Sequence, residues 1–261
     1  MRFGSIEIKR NRHIAIIYLN RPEVKNALNR QMIEELLSAL SELEQESEIR
    51  VIVLTGKGSS FCTGRDLSDA RKMKKEDLVR RRFAYQRMAK LMTETSKITK
   101  PIIAAVQGYV LGGGCGLAAS CDIVIASEDA VFGVPEVKIG IVPGTVTAPL
   151  FRSVGRKKAT EMILTGETLD AHEGRTTGLI NRVVAKEKLM ESALELAEKI
   201  ANCSPVAIKI WKQAVSAQYE SDYTRLTDNF AEIVTLSSLT ADASEGLAAF
   251  LEKRKPKWQD R

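Results

Sequence analysis

The sequence predicts an α/β protein with parallel strand pairing. Three observations carry this: strand-length apolar runs recur through the first 190 residues, helical patterns separate them, and beyond about residue 186 the pattern is helical only. Residues 5–19 alternate apolar and polar and read as two strands around a turn at Asn11. Residues 29–46 carry apolar side chains at 32, 33, 36, 37, 40 and 43, the 3.6 period of an amphipathic helix, with Asn29 suited to cap it. VIVL (51–54) reads as a buried strand and GKGSSFCTGRDL (56–67) as a loop. A basic helix follows over about 76–97, then a buried strand, PIIAAV (101–106). DIVIAS (122–127) and NRVV (181–184) complete the strands. Ser204-Pro205 marks a helix start, and Asp242 with Glu245 reads as a capping box before a last helix. The chain thus divides into an α/β body (1–190) and a helical region (191–261), with no Pro/Ser-rich linker, low-complexity segment or strict repeat.

Composition narrows the chemistry. At 261 residues, 44% hydrophobic and 28% charged, the chain has the make-up of a globular protein with a sizeable core. No apolar run approaches the roughly 18 residues of a membrane span, and the first residues lack the pattern of a signal or transit peptide, so cytoplasm is the expected compartment. The four cysteines form no CxxC pair and read as reduced thiols. His13 and His172 are the only histidines, one in a strand pattern and one in a polar helix start, which argues against a His-rich metal site or a Cys–His nucleophile. A net charge of +6 suits an anionic partner. The basic residues gather at 71–90 and 252–258, where a solvated helix face is the competing reading.

The segment GYVLGGGCGLAASCD (108–122) holds five glycines within nine residues, a large entropic cost for a mere connection. Glycines between a strand and a helix start expose backbone N–H groups at the positive end of a helix dipole. A phosphate loop would need a following Lys, which is absent. Gly114–Ala119 fits the dinucleotide pattern G-x-G-x-x-A, but the next strand starts at Asp122 and leaves too short a helix for a crossover. An oxyanion hole fits, with a second donor from the 56–67 loop. Close packing of a small-residue helix against the sheet would also account for the glycines.

Read together, NRPEVKNALN (20–29), FCTGRDL (61–67), residues 100–144, LTGETLDAHEG…GLINRVV (164–184) and EGLAAFLEKRKPKW (245–258) resemble the enoyl-CoA hydratase/isomerase (crotonase) family, in order, at the family's spacing and across essentially the whole chain. The resemblance implies a spiral of repeated ββα units with a C-terminal helical trimerisation region, assembled as a homotrimer or a dimer of trimers. It implies an acyl-CoA thioester as ligand, with coenzyme A part of the substrate and no further cofactor. By position, the oxyanion donors would be the N–H groups of Arg65 and Gly113, and the catalytic carboxylate Glu136. Glu136 follows a proline among apolar residues, where partial burial would raise its pKa. Lys25, Arg65, Asp66, Leu67, Gly112 and Gly113 would border the CoA thioester, with Phe250 and Lys253 near its adenine end; Asp66 suits a cap better than an acid. Gly116, Pro143 and Gly144 would border the acyl pocket.

Two departures leave the reaction open. A typical hydratase of this family has a second glutamate where this chain has Gly116, and a glycine-rich stretch ending in Thr-Gln-Arg where this chain has PGTVTAPLF (143–151). Asp122, Glu128 and Asp129 do not obviously replace the missing acid. A single glutamate can still move a proton between carbons, so isomerisation is expected ahead of hydration, and Gly116→Glu is expected to raise hydration. Decarboxylation or thioester hydrolysis on the same scaffold, an inactive CoA-binding relative and a nucleic-acid-binding module are the competing readings. The last is disfavoured because no nucleic-acid motif is present and aromatics make up only 5% of the chain.

Overall fold

The computed structural model describes residues 3–69, 77–218, 241–242, 245, 248–249 and 252–259. Its apolar strands form a six-stranded sheet in the order β1 (Ile6–Asn11), β2 (Ile14–Leu19), β3 (Val51–Gly56), β4 (Ile102–Val106), β6 (Ile123–Ser127) and β9 (Arg182–Val184). Only β1 and β2, joined by a tight turn, are antiparallel; every later pairing is parallel. A second sheet pairs β5 (Tyr109–Leu111) with β7 (Val131–Gly133) in parallel, and β7 with β8 (Thr168–Asp170) antiparallel. These three strands have three residues each, too short to show a period, and the sequence did not reveal them.

The four central strands of the large sheet are buried on both faces because they are apolar at successive positions. One face of β3 and β4 presents Ile52, Leu54, Ile102 and Ala104 to a core shared with α1 (Arg30–Gln45), α2 (Leu78–Lys97) and α3 (Gly113–Ala119). Asn29 caps α1 as expected, its Oδ1 accepting the Met32 N–H at 2.9 Å. The α1 stripe of Met32, Leu36, Leu40 and Leu43 is buried against the sheet, and each such side chain stabilises the fold by roughly 1.5–3 kcal/mol. The opposite face presents Val51, Val53, Ile103, Ala105 and Ile125 to the alanine stripe of α6 (Leu189–Ala201), with Ala193, Ala197 and Ala201 spaced one turn apart. Small side chains there bring the helix close to the strands. Packing therefore continues past residue 190, through α6.

The long helix α4 (Gly144–Thr165) is bent where Gly155 takes φ 73°, and the short α5 (Ala171–Thr176) starts in a capping box between Asp170 and Glu173. Helix α7 (Pro205–Gln218) starts at the Ser204-Pro205 signal, with Ser204 Oγ accepting the Ala207 N–H. It is pinned to the body by Lys212, only 3% exposed, which pairs with Asp122 at 2.6 Å and donates to the Lys100 carbonyl. The expected Asp242–Glu245 box is corrected: Asp242 is itself helical, and its carboxylate accepts from Ser204 Oγ and the Gln259 N–H. Glu245 instead pairs with Arg254. Both acids tie the end of the chain back, because a carboxylate satisfies distant donors as readily as local ones. No helix among the described residues is long and apolar enough to cross a membrane.

One buried residue sets the loops that leave β3. Asn26 has φ 56° and is fully buried; its Nδ2 donates to the carbonyls of Lys57 and Ser60, and its Oδ1 accepts the Arg21 N–H. Asparagine tolerates the left-handed region and satisfies three backbone groups at once. Asn26→Ala leaves those groups unpaired and is expected to destabilise the protein by about 3 kcal/mol in urea unfolding, with the m-value unchanged.

Candidate active site

The glycine segment follows β5 and opens α3, a helix of seven residues and thus too short to recross the sheet as a dinucleotide-binding unit would require. Its cap, Gly112, has φ 50° and ψ −123°, a conformation closed to other residues, and its N–H is held by the Gly133 carbonyl at 2.8 Å. Gly113 is the first helical residue, so its N–H has no acceptor within the helix.

The loop from residue 61 to 66 lies along this segment. Cys62 pairs with Val110 in a parallel bridge, accepting the Leu111 N–H and donating to the Tyr109 carbonyl. Further on, Leu28 bridges Arg65 through the Gly64 carbonyl and the Asp66 N–H. The two segments touch backbone to backbone. A Cβ on Gly64 would lie 2.8 Å from the Leu111 carbonyl and 3.0 Å from the Gly113 nitrogen, and one on Gly114 would lie 2.8 Å from Cys62 Cβ. The geometry thus sets Gly64, the residue before Arg65, directly against Gly113.

Glu136 sits at the start of a 3-10 turn, Pro135–Ile139, entered from β7. Its carboxylate rests on Gly112, where a Cβ would be 2.6 Å from Oε1. Oε2 is buried without a hydrogen-bond partner, and burial holds the carboxyl above the usual carboxylate range against the opposing pull of its own backbone N–H. The thiol of Cys115 in α3 is pushed up to about 12, first by burial and then by the Glu136 charge, so it is no nucleophile. Asp122 is paired with Lys212, Asp129 with Lys186, and Glu128 is exposed. None of the three joins Glu136 as a second free acid.

The remaining candidates are spread around this centre. Lys25, in the left-handed region, holds its ammonium 4.5 Å from the centre of the Tyr109 ring, and its carbonyl accepts the Thr63 N–H. The Arg65 guanidinium stacks 4.5 Å over Tyr85 of α2. Asp66 caps the turn after it, accepting from Ser68 and Asp69, and pairs with Arg21 at 2.9 Å. Leu67 is exposed. Pro143 caps α4, and Gly144 borders a cleft of about 690 Å³ between α2, α4 and α7. Lys253 is exposed in a turn, and Phe250 lies outside the described residues. The 71–90 basic run is described from residue 77 on, where Arg87 pairs with Glu34 of α1.

Gly116, expected to border the acyl pocket, packs against a side chain. A Cβ there would fall inside Val146 Cγ1 and within 3.3 Å of Val146 Cα and Cβ. Val146 of PGTVTAPLF, Tyr109 of the glycine segment and Tyr85 of the basic run all lie in stretches the sequence singles out, but residue type and spacing give none of them a role. Among the described residues, no three His, Cys, Asp or Glu side chains gather to hold a metal ion.

The profile of the family described as Enoyl-CoA hydratase/isomerase matches residues 9–261. A Dictyostelium discoideum protein named "Probable enoyl-CoA hydratase, mitochondrial" is 39% identical over 249 residues, 95% of this chain and 88% of its own. The 2,3-dehydroadipyl-CoA hydratase of Escherichia coli is 37% identical over 97% of this chain and 98% of its own. The crystal structure of an enoyl-CoA hydratase from Bacillus anthracis superposes with a TM-score of 0.93 at 34% identity, covering 99% of this chain and all of that one.

The raised pKa of Glu136 has a stability consequence of definite sign. The unfolded chain ionises first as pH rises, so the wild type loses stability from the ordinary carboxylate range up to the folded-state pKa. Glu136→Gln is therefore expected to melt above the wild type at about pH 7, with the two melting temperatures converging below about pH 4. An advantage that persists unchanged at low pH would contradict a buried, destabilised carboxylate.

Proposed function

The chain belongs to the enoyl-CoA hydratase/isomerase family, and from that premise we propose that this enzyme moves a proton on an acyl-CoA thioester, with double-bond isomerisation favoured over hydration. The observation that carries this reading is Glu136: one half-buried carboxylate whose Oε2 is buried without a partner, set against the start of α3, with Gly116 offering no second acid. The thioester oxygen accepts from the N–H groups of Gly113 and Arg65. Backbone donors are aimed without reorganisation, and each typically lowers the barrier by about 3–4 kcal/mol as the oxygen gains negative charge. The same donors lower the pKa of the α-carbon. Glu136 then takes a proton from C2 of a 3-enoyl thioester, the charge spreads over the dienolate, and the protonated acid returns the proton to C4. The double bond moves from C3–C4 to C2–C3, with no atom gained or lost and no cofactor required. A pKa raised by burial suits a group that must both take and give the proton near neutral pH. Arg65 can occupy a donor position because only its backbone is used. Lys25 adds positive charge for an anionic CoA.

The second reading is hydration by Glu136 with an oriented water, favoured by the relatives, which are named hydratases. There the water oxygen bonds to C3 and a proton reaches C2, so one carboxylate serves both ends. A panel of 2-enoyl-, 3-enoyl- and malonyl-type CoA thioesters, with products identified by mass spectrometry, separates the two. Isomerisation of 3-enoyl-CoA is expected to outpace hydration of 2-enoyl-CoA; brisk hydration with 3-enoyl-CoA untouched would overturn it. Glu136→Gln is expected to reduce turnover at least ~100-fold.

A further inference from the structure

Gly116 follows Gly112 by four residues on α3, and the Gly116 N–H donates to the Gly112 carbonyl at 3.0 Å, so the two stand one turn apart on the helix. The first of them carries the Glu136 carboxylate; the second receives Val146 Cγ1. Val146 comes from the first turn of α4, is 1% exposed, and is β-branched, so it has few rotamers by which to withdraw. The 3-10 turn that bears Glu136 packs against α4 as well. The strip of α3 beside the carboxylate is therefore closed by a methyl group rather than left as a polar notch. A side chain at 116 therefore forces Val146 to shift.

We propose that Val146 is a specificity-determining residue, a plug that keeps water from the flank of Glu136 so that the proton travels between carbons. This rests on the reading that Glu136 moves the proton. Two methyl groups on a rigid stem displace about one water's volume, and a dry apolar wall offers that water no hydrogen-bond partner. The oxygen that would bond to C3 in hydration then has no held position, while the C2-to-C4 transfer needs none. The sequence-based expectation for Gly116→Glu is corrected by the same contact: the new side chain has no room until Val146 is reduced.

The test has two independent readouts. Melting temperatures of Gly116→Glu, Val146→Gly and the double variant report the steric exclusion without reference to activity. Gly116→Glu alone is expected to melt well below the wild type, and Val146→Gly in the same chain to restore most of the loss; additive effects would overturn the plug. The ratio of 3-hydroxyacyl product from 2-enoyl-CoA to isomerised product from 3-enoyl-CoA reports the chemistry. It is expected to rise about tenfold in the conservative Val146→Ala variant, and further in the double variant. A ratio within twofold of the wild type in folded Val146→Ala would overturn the role in specificity. Full activity in Glu136→Gln would sink the reading beneath it while leaving the melting cycle intact, so the two failures are told apart.

Discussion

The contact between the 61–66 loop and the 110–114 segment is the constraint on which the rest of the site depends. Two backbones run side by side with nothing between them, which is possible only where Gly64 and Gly114 lack a Cβ. The hydrogen bonds of Cys62 to β5 and of Leu28 to Gly64 and Asp66 fix the register of that approach. Because both proposed donors are main-chain groups, the proposed site does not depend on rotamers, and the side chain at 65 can be a guanidinium that stacks on Tyr85. The sheet supports this arrangement from beneath: parallel strands deliver their C-terminal ends to one edge, where the loops after β3 and β4 meet.

A second constraint opposes stability. Burying the Glu136 carboxylate with one oxygen unpaired costs free energy, since the charge loses water and gains only its own backbone N–H in return. The fold tolerates this because the two faces of the large sheet are filled independently, by the leucines of α1 on one side and the alanines of α6 on the other. Val146 belongs to both accounts. It completes the core between α3 and α4, and it sets the polarity beside the carboxylate.

Much of the fold was legible from local pattern. The α1 stripe, the Asn29 cap and the apolar runs of β3, β4 and β6 each announce themselves in a window of a few residues. Less legible were β5, β7 and β8, whose three-residue lengths leave no period, and α4, whose internal Pro149 and Gly155 break the helical signal. Asp242 and Glu245 mimic a capping box in spacing, yet their carboxylates serve partners up to 38 residues away, which no local window could anticipate.

By itself the sequence determined the α/β class and the family, and it named the residues proposed to act: Glu136, the glycines at 112–114, and Gly116, where the family resemblance implies an acid. Those are matters of residue type and order, and both are written in the chain. The tertiary structure decided what stands beside Gly116. Gly116 and Val146 lie 30 positions apart, and nothing in either neighbourhood signals the other. Only the packing of α3 on α4 puts a methyl group where a carboxylate could have stood. Whether a missing side chain leaves a wet vacancy or a filled one is a property of volume in three dimensions, and a linear sequence does not carry it.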